Sequence, residues 1–141
     1  MTQKQTTYAT AGVDVEAGDR AVELMKSAVA ATHNEHVFGQ VGGFAGMFDV
    51  SFLKDYTRPL LATSTDGVGT KVAIAQALDI HHTIGYDLVG MVVDDIVVSG
   101  AKPLFMTDYI ACGKVIPERI AGIVRGIAAV SYTHLRAHET P

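Results

Sequence analysis

The chain has 141 residues, a formal net charge of −4, 48% apolar residues and 18% charged ones. That balance excludes a disordered polyelectrolyte and offers no electrostatic case for nucleic acid. No stretch approaches the roughly 20 apolar residues that cross a bilayer, the polar start Met1-Thr2-Gln3-Lys4-Gln5 lacks a signal-peptide core, and the single Cys112 excludes an internal disulfide and fits a reducing cytosol.

In chain order, residues 1–13 read as an extended arm. Asp14 is placed to cap a helix running to about Ala31, with Val22, Met25 and Val29 as its apolar stripe. The run Gly39-Gln40-Val41-Gly42-Gly43-Phe44-Ala45-Gly46 is a loop, because its glycines oppose a helix. Residues 49–52 are expected to begin a strand, and Arg58-Pro59 precedes a second strand at 60–64. Residues 72–78 suit a helix, and a further helix is expected over about 83–99, ended by Gly100. Pro103 introduces a strand over 104–111. Pro117 sits in the first turn of a last helix, whose buried face is Ile120, Ile123, Val124, Ile127 and Val130. This alternation predicts an α/β or α+β domain, a mixed sheet with helices packed on one face. The domain is expected over 14–130. Residues 131–141 break the pattern and read as a non-native tail, like translated adapter or vector sequence. His134 and His138 stand at i, i+4 in it, but no third metal ligand accompanies them.

Thr65-Asp66-Gly67-Val68-Gly69-Thr70-Lys71 carries the chemistry. Its glycines allow close approach to an anion, Lys71 supplies positive charge, and Asp66 can hold a divalent cation through oxygen. The following helix presents free N–H groups beside the loop. The spacing is not that of a Walker A loop, and a tight glycine turn with an exposed lysine would look similar.

The helix at 83–99 is the second signal. Asp87 and Asp94 lie two turns apart on one face, with Asp95 about 100° further round. Its other residues are mostly apolar, so burial is expected, and buried carboxylates need a partner such as magnesium. The competing reading makes Asp94 and Asp95 a solvent-facing edge or caps for a neighbour. Asp108 is a further candidate of uncertain facing. His81 and His82, just before this helix, are placed to cap it or bind substrate but read first as loop histidines facing solvent, and Cys112 reads as a small buried residue.

Tyr8, Ala11-Gly12-Val13-Asp14, Gly42-Gly43-Phe44, Asp66-Gly67-Val68-Gly69-Thr70-Lys71, Thr83-Ile84-Gly85, Gly100-Ala101, Pro103-Leu104-Phe105 and Asp108-Tyr109 occur in one order. This pattern resembles the N-terminal half of the aminoimidazole ribonucleotide synthetases, or phosphoribosylformylglycinamidine cyclo-ligases, from about Tyr8 to Ala129. The resemblance implies a cytoplasmic, ATP- and Mg2+-using ligase of purine synthesis that forms a C–N bond. It would close formylglycinamidine ribonucleotide to aminoimidazole ribonucleotide. It implies a homodimer whose N-terminal sheets pair into a barrel, with no nucleic-acid or membrane partner.

On that pattern Asp66 and Asp94 would be magnesium-associated, with Asp87 and Asp95 nearby. Lys71 and the backbone from Gly67 through Gly69 to Thr70 would serve phosphate. Gly42, Gly43 and Phe44 would form a loop over the nucleotide, with Lys26 a further contact. No catalytic residue is assigned. Three departures stand out: Asp94 replaces an asparagine common in the family, Lys102 a frequent glutamate, and a C-terminal domain is missing. The chain is therefore not expected to be a competent cyclo-ligase alone. Alternatives are another ATP-using member of the superfamily (thiamine monophosphate kinase, selenophosphate synthetase or formylglycinamidine ribonucleotide synthase) or a non-catalytic dimerisation domain.

Overall fold

A computed structural model describes residues 7–39, 41–43 and 45–134. Four α-helices form its body: α1 (Val15–Thr32), α2 (Lys71–Leu78), α3 (Ile84–Val98) and α4 (Pro117–His134). Two short strands, β1 (Val37–Phe38) and β2 (Met47–Phe48), pair antiparallel in the register Val37 with Phe48 and Phe38 with Met47. Single turns of 3-10 helix occur at Ala9–Ala11 and Ser51–Asp55.

The helices begin and end for local reasons that the sequence announces. Asp14 caps α1, its Oδ1 accepting from the Ala17 N–H at 3.0 Å. At the end of α3, Gly100 takes φ +75°. Its N–H reaches the Val97 carbonyl, and that of Ala101 reaches Ile96, satisfying carbonyls the helix leaves open. Asp79 does the same for α2 at φ +52°, without being glycine.

Helix α4 is the centre of the core, with α1 and α3 both packed on it. Ala121, Val124, Ile127 and Ala128 are buried on α4, Val89 and Ile84 on α3, and Ala21 on α1. Of the five α4 residues expected inside, Val124 and Ile127 are buried and Ile120, Ile123 and Val130 half-buried. Small residues let the backbones close up. A methyl group built on Gly85 would lie within 2.6 Å of the backbone at Ile123 and Ile127, and one on Gly126 would strike the His82 carbonyl.

The expected mixed sheet does not form among the described residues, whose one sheet is the β1 and β2 ribbon. Residues 60–64 and 104–111 lie outside any strand pairing. Their apolar, β-branched and aromatic composition suits a strand, but a strand exists only with a partner to take its N–H and C=O groups. Leu60, Leu61, Phe105 and Tyr109 consequently remain exposed. The strand expected at 49–52 is also corrected. Asp49 Oδ1 accepts from the Ser51 N–H at 2.8 Å, which turns the chain into 3-10 helix. The boundary expected at 130 falls inside α4, where Ser131 is buried. Residues 1–6 of the arm and 135–141 of the tail lie outside the described residues.

Candidate nucleotide and metal site

Two side-chain tethers lay the glycine loop along α3. Ser64 Oγ donates to Asp95 Oδ2 at 2.7 Å, and Lys71 Nζ to Asp87 Oδ1 at 2.8 Å. The chain runs from 64 to 71 while its partners run from 95 back to 87, a distance of about 12 Å along the helix axis. Asp66, Gly67 and Gly69 lie in the stretch between the tethers. Ser64 was not singled out from the sequence. The available signal was a hydroxyl ending an apolar run two residues before Asp66.

Within the loop, Gly69 at φ +58° performs the turn into α2. Gly67 serves differently: its N–H donates to Asp66 Oδ1 at 2.7 Å. Thr70 precedes α2 with αR backbone and no side-chain cap bond. The N–H groups of Val72 and Ala73 turn back to the Gly69 and Thr70 carbonyls. Between α2 and α3 lies a cavity of about 190 Å³, with Lys71 and Asp87 beside Ile74, Leu78 and Ile80.

The acidic face of α3 is not buried, contrary to expectation. Asp94 is exposed and Asp87 half-buried, because Ile84, Gly85 and Val89 turn the opposite side of the helix to α4, and Asp95 is exposed further along, near the helix end. The Asp94 carboxylate makes no hydrogen bond or ion pair among the described residues, and no three His, Cys, Asp or Glu side chains gather there around a common point. The set is a line of oxygen donors facing an oxygen-rich loop, with Lys71 neutralising one end.

The second glycine loop reaches α1. A methyl group on Gly42, at φ +95°, would meet Val22 Cγ1 at 3.5 Å. Lys26 stands one turn beyond Val22 on that helix, its Nζ 2.6 Å from Glu23 Oε2. Gly43 is exposed in this turn, and Phe44 lies outside the described residues.

The other flagged residues fall elsewhere. His81 is not a free solvent-facing histidine: its Nε2 sits 3.0 Å from Asp79 Oδ1, which also accepts from Arg119 Nη2 at 2.9 Å. Cys112 is exposed, not buried. Asp108 is exposed as a residue, yet desolvation of its carboxyl pushes its pKa up. A cleft of about 480 Å³ brings Gly12 and Asp14 against Gly113 and Lys114, a juxtaposition of distant segments that no spacing reveals.

A protein-family model described as AIR synthase related protein, N-terminal domain, matches residues 49–134. The chain is also similar to curated proteins. It is 59% identical over 121 residues to a phosphoribosylformylglycinamidine cyclo-ligase of Geobacillus thermodenitrificans, covering 86% of this chain and 35% of that protein. The protein of the same name from Leptospira interrogans serovar Lai is 52% identical over 125 residues, covering 89% and 36%. A third, from a Geobacillus species, is 60% identical over 121 residues, covering 86% and 35%. The chain thus spans about a third of the length of the curated relatives it matches.

Proposed function

This chain belongs to the family of AIR synthase related proteins through their N-terminal domain, and from that premise we propose that it is the nucleotide-binding part of a phosphoribosylformylglycinamidine cyclo-ligase. The reaction proposed for the longer arrangement is ATP-dependent closure of formylglycinamidine ribonucleotide to aminoimidazole ribonucleotide in purine synthesis. It is a C–N bond-forming ligase reaction. The names of the three relatives support this reading over a kinase or selenophosphate reading of the same loop.

The observation that carries the proposal is the pair of tethers that fix the two ends of the glycine loop, Ser64 to Asp95 and Lys71 to Asp87, on α3. Oxygen donors at Asp66, Asp87, Asp94 and Asp95 suit magnesium, which takes few protein oxygens and leaves its other positions to water and phosphate. Asp66 and Asp94 are the proposed magnesium-associated pair, with Asp87 and Asp95 beside them. When bound, magnesium ATP supplies a transferable phosphoryl group that activates an amide oxygen, and that chemistry needs charge neutralisation more than a protein nucleophile.

This chain's residues position and balance charge. Lys71, paired with Asp87 here, would serve a phosphate oxygen, and the Asp87 carboxylate would then be available to the cation. Gly67, Gly69 and Thr70 would admit the phosphates close to the backbone, and the Thr70 hydroxyl, which makes no cap bond, would donate to them. On the family pattern Gly42, Gly43 and Phe44 would cover the nucleotide, and Lys26 would neutralise it from α1. A homodimer, a cytoplasmic location and the absence of nucleic-acid or membrane partners belong to the same proposal. Among the described residues no helix is long and apolar enough to cross a membrane.

Calorimetry with magnesium ATP tests the reading. Saturable, magnesium-dependent binding to the folded chain supports it, and no binding overturns it. Ring closure is assigned to the longer arrangement, so the chain alone is expected to bind nucleotide without turning it over. Steady ADP formation dependent on formylglycinamidine ribonucleotide would overturn that division.

A further inference from the structure

A cluster of four rings lies at the base of the hairpin that carries Gly42 and Gly43. The His36 ring centroid is 5.6 Å from that of Phe48 and 5.6 Å from that of Phe52, and Phe48 is 5.0 Å from Phe105. Below the ribbon, the Asp49 N–H donates to the His36 carbonyl at 2.7 Å, closing the hairpin at the level of these rings. The ribbon itself is only two residues per strand. A two-stranded hairpin of any length is marginal without further packing. Its position therefore depends on what its base packs against.

Phe105 is the distant member of the cluster. It belongs to the stretch 104–111, which has no strand partner among the described residues, and Phe105 is otherwise exposed. Three of the four rings are local to the hairpin and its exit, so the contact of Phe48 with Phe105 is the one tie in this cluster to the second half of the chain. At its other end the hairpin touches α1, through Gly42 beside Val22. The glycine turn is thus held between α1 at its tip and the segment bearing Asp108 at its base.

We infer that His36, Phe48, Phe52 and Phe105 form a mount for the glycine turn, with Phe48 and Phe105 as positioning residues for the nucleotide site. Neither residue needs to touch the ligand. The pair sets where Gly42 and Gly43 stand, so a nucleotide meets a turn already placed instead of ordering it on binding. The inference rests on the nucleotide reading for its consequence, but its first readout needs no ligand.

Backbone 15N relaxation on the full chain supplies that readout. In Phe105→Leu, order parameters at Gly39, Gly42 and Gly43 are expected to fall below about 0.6 while those of α4 stay near about 0.85. Phe105→Tyr, which keeps a ring, is expected to restore them. Magnesium ATP affinity is expected to weaken about two- to tenfold in Phe105→Leu, the range an aromatic pair supports. Phe48→Leu combined with Phe105→Leu is expected to be no worse than either alone. Unchanged glycine order parameters in Phe105→Leu overturn the inference, as does a fall that extends equally to α4 or one that Phe105→Tyr does not reverse. If the parent chain binds no nucleotide but the glycines respond as expected, the mount stands and the nucleotide reading fails.

Discussion

Lys71 Nζ sits 2.8 Å from Asp87 Oδ1, so the cation of the glycine loop is already held by a carboxylate of α3. Both side chains are close to half exposed, at 47% and 42%. An ion pair in that setting contributes at most about 1 kcal/mol. The pair keeps the loop registered on the helix yet yields readily to a stronger partner, and a triphosphate with its metal offers one to each side. Lys71→Ala is therefore expected to weaken magnesium ATP binding about 10- to 100-fold, the span of a lost charged hydrogen bond. Its thermal midpoint should barely move. Calorimetry and a melting curve on the same sample check both.

Asp66→Asn and Asp94→Asn keep an oxygen donor and remove a charge. Each is expected to raise the magnesium concentration needed for half-maximal nucleotide binding by about tenfold or more. A magnesium titration at fixed ATP checks this. Asp19→Asn, on exposed α1, serves as the control that should leave the titration unchanged.

The crossing of α3 and α4 tolerates no side chain at its closest point. Gly126→Ala would drive a methyl group into the His82 carbonyl, and Gly85→Ala into the α4 backbone. Backbone atoms cannot swing aside as a flexible side chain does. Each substitution is expected to cost about 3 kcal/mol or more. Gly122→Ala, whose nearest neighbour is the Arg125 side chain at 3.7 Å, should be far milder. Urea unfolding compares the three.

Asp14→Ala removes the acceptor for the Ala17 N–H at the start of α1. A loss of about 1 kcal/mol is expected. Asp14→Ser, which keeps an acceptor, should recover most of it in the same urea assay.

Three carboxyls give a sign to the pH dependence. The Arg20 hydrogen bond, then its own backbone N–H, holds Glu118 below the usual carboxylate range, and Ser51 does the same for Asp49 through its hydroxyl and its N–H. A folded-state pKa below the unfolded one stabilises the fold above the unfolded value, and that contribution is lost as pH falls through the folded one. Desolvation raises Asp108 instead, so its contribution is present below the unfolded value and lost as pH rises through the folded value. Arg20→Met is expected to flatten the acid-side loss of stability. Asp108→Asn is expected to remove the opposing decline, leaving the variant more stable than the parent at neutral pH. Urea midpoints from about pH 3 to 7 check both slopes.

Sequence alone determined the helices, because their signals are local. Asp14, Pro117 and Gly100 mark ends through hydrogen bonds and backbone angles that reach only a few residues, and α1, α3 and the start of α4 lie within one or two residues of where those signals put them. The chemistry of 65–71 was legible for the same reason: glycine, aspartate and lysine keep their properties wherever the loop is laid. Tertiary structure alone decided the rest. Residues 60–64 and 104–111 have strand composition but no strand partner among the described residues, and pairing is a property of two segments. The facing of Asp94 depended on which side of α3 met α4, where glycines 41 residues apart, Gly85 and Gly126, let the two backbones close up. The tether of Ser64 to Asp95 and the contact of Phe48 with Phe105 join positions too distant for any periodicity to connect. Local rules placed the pieces, and only long-range packing chose which surfaces they turned toward one another.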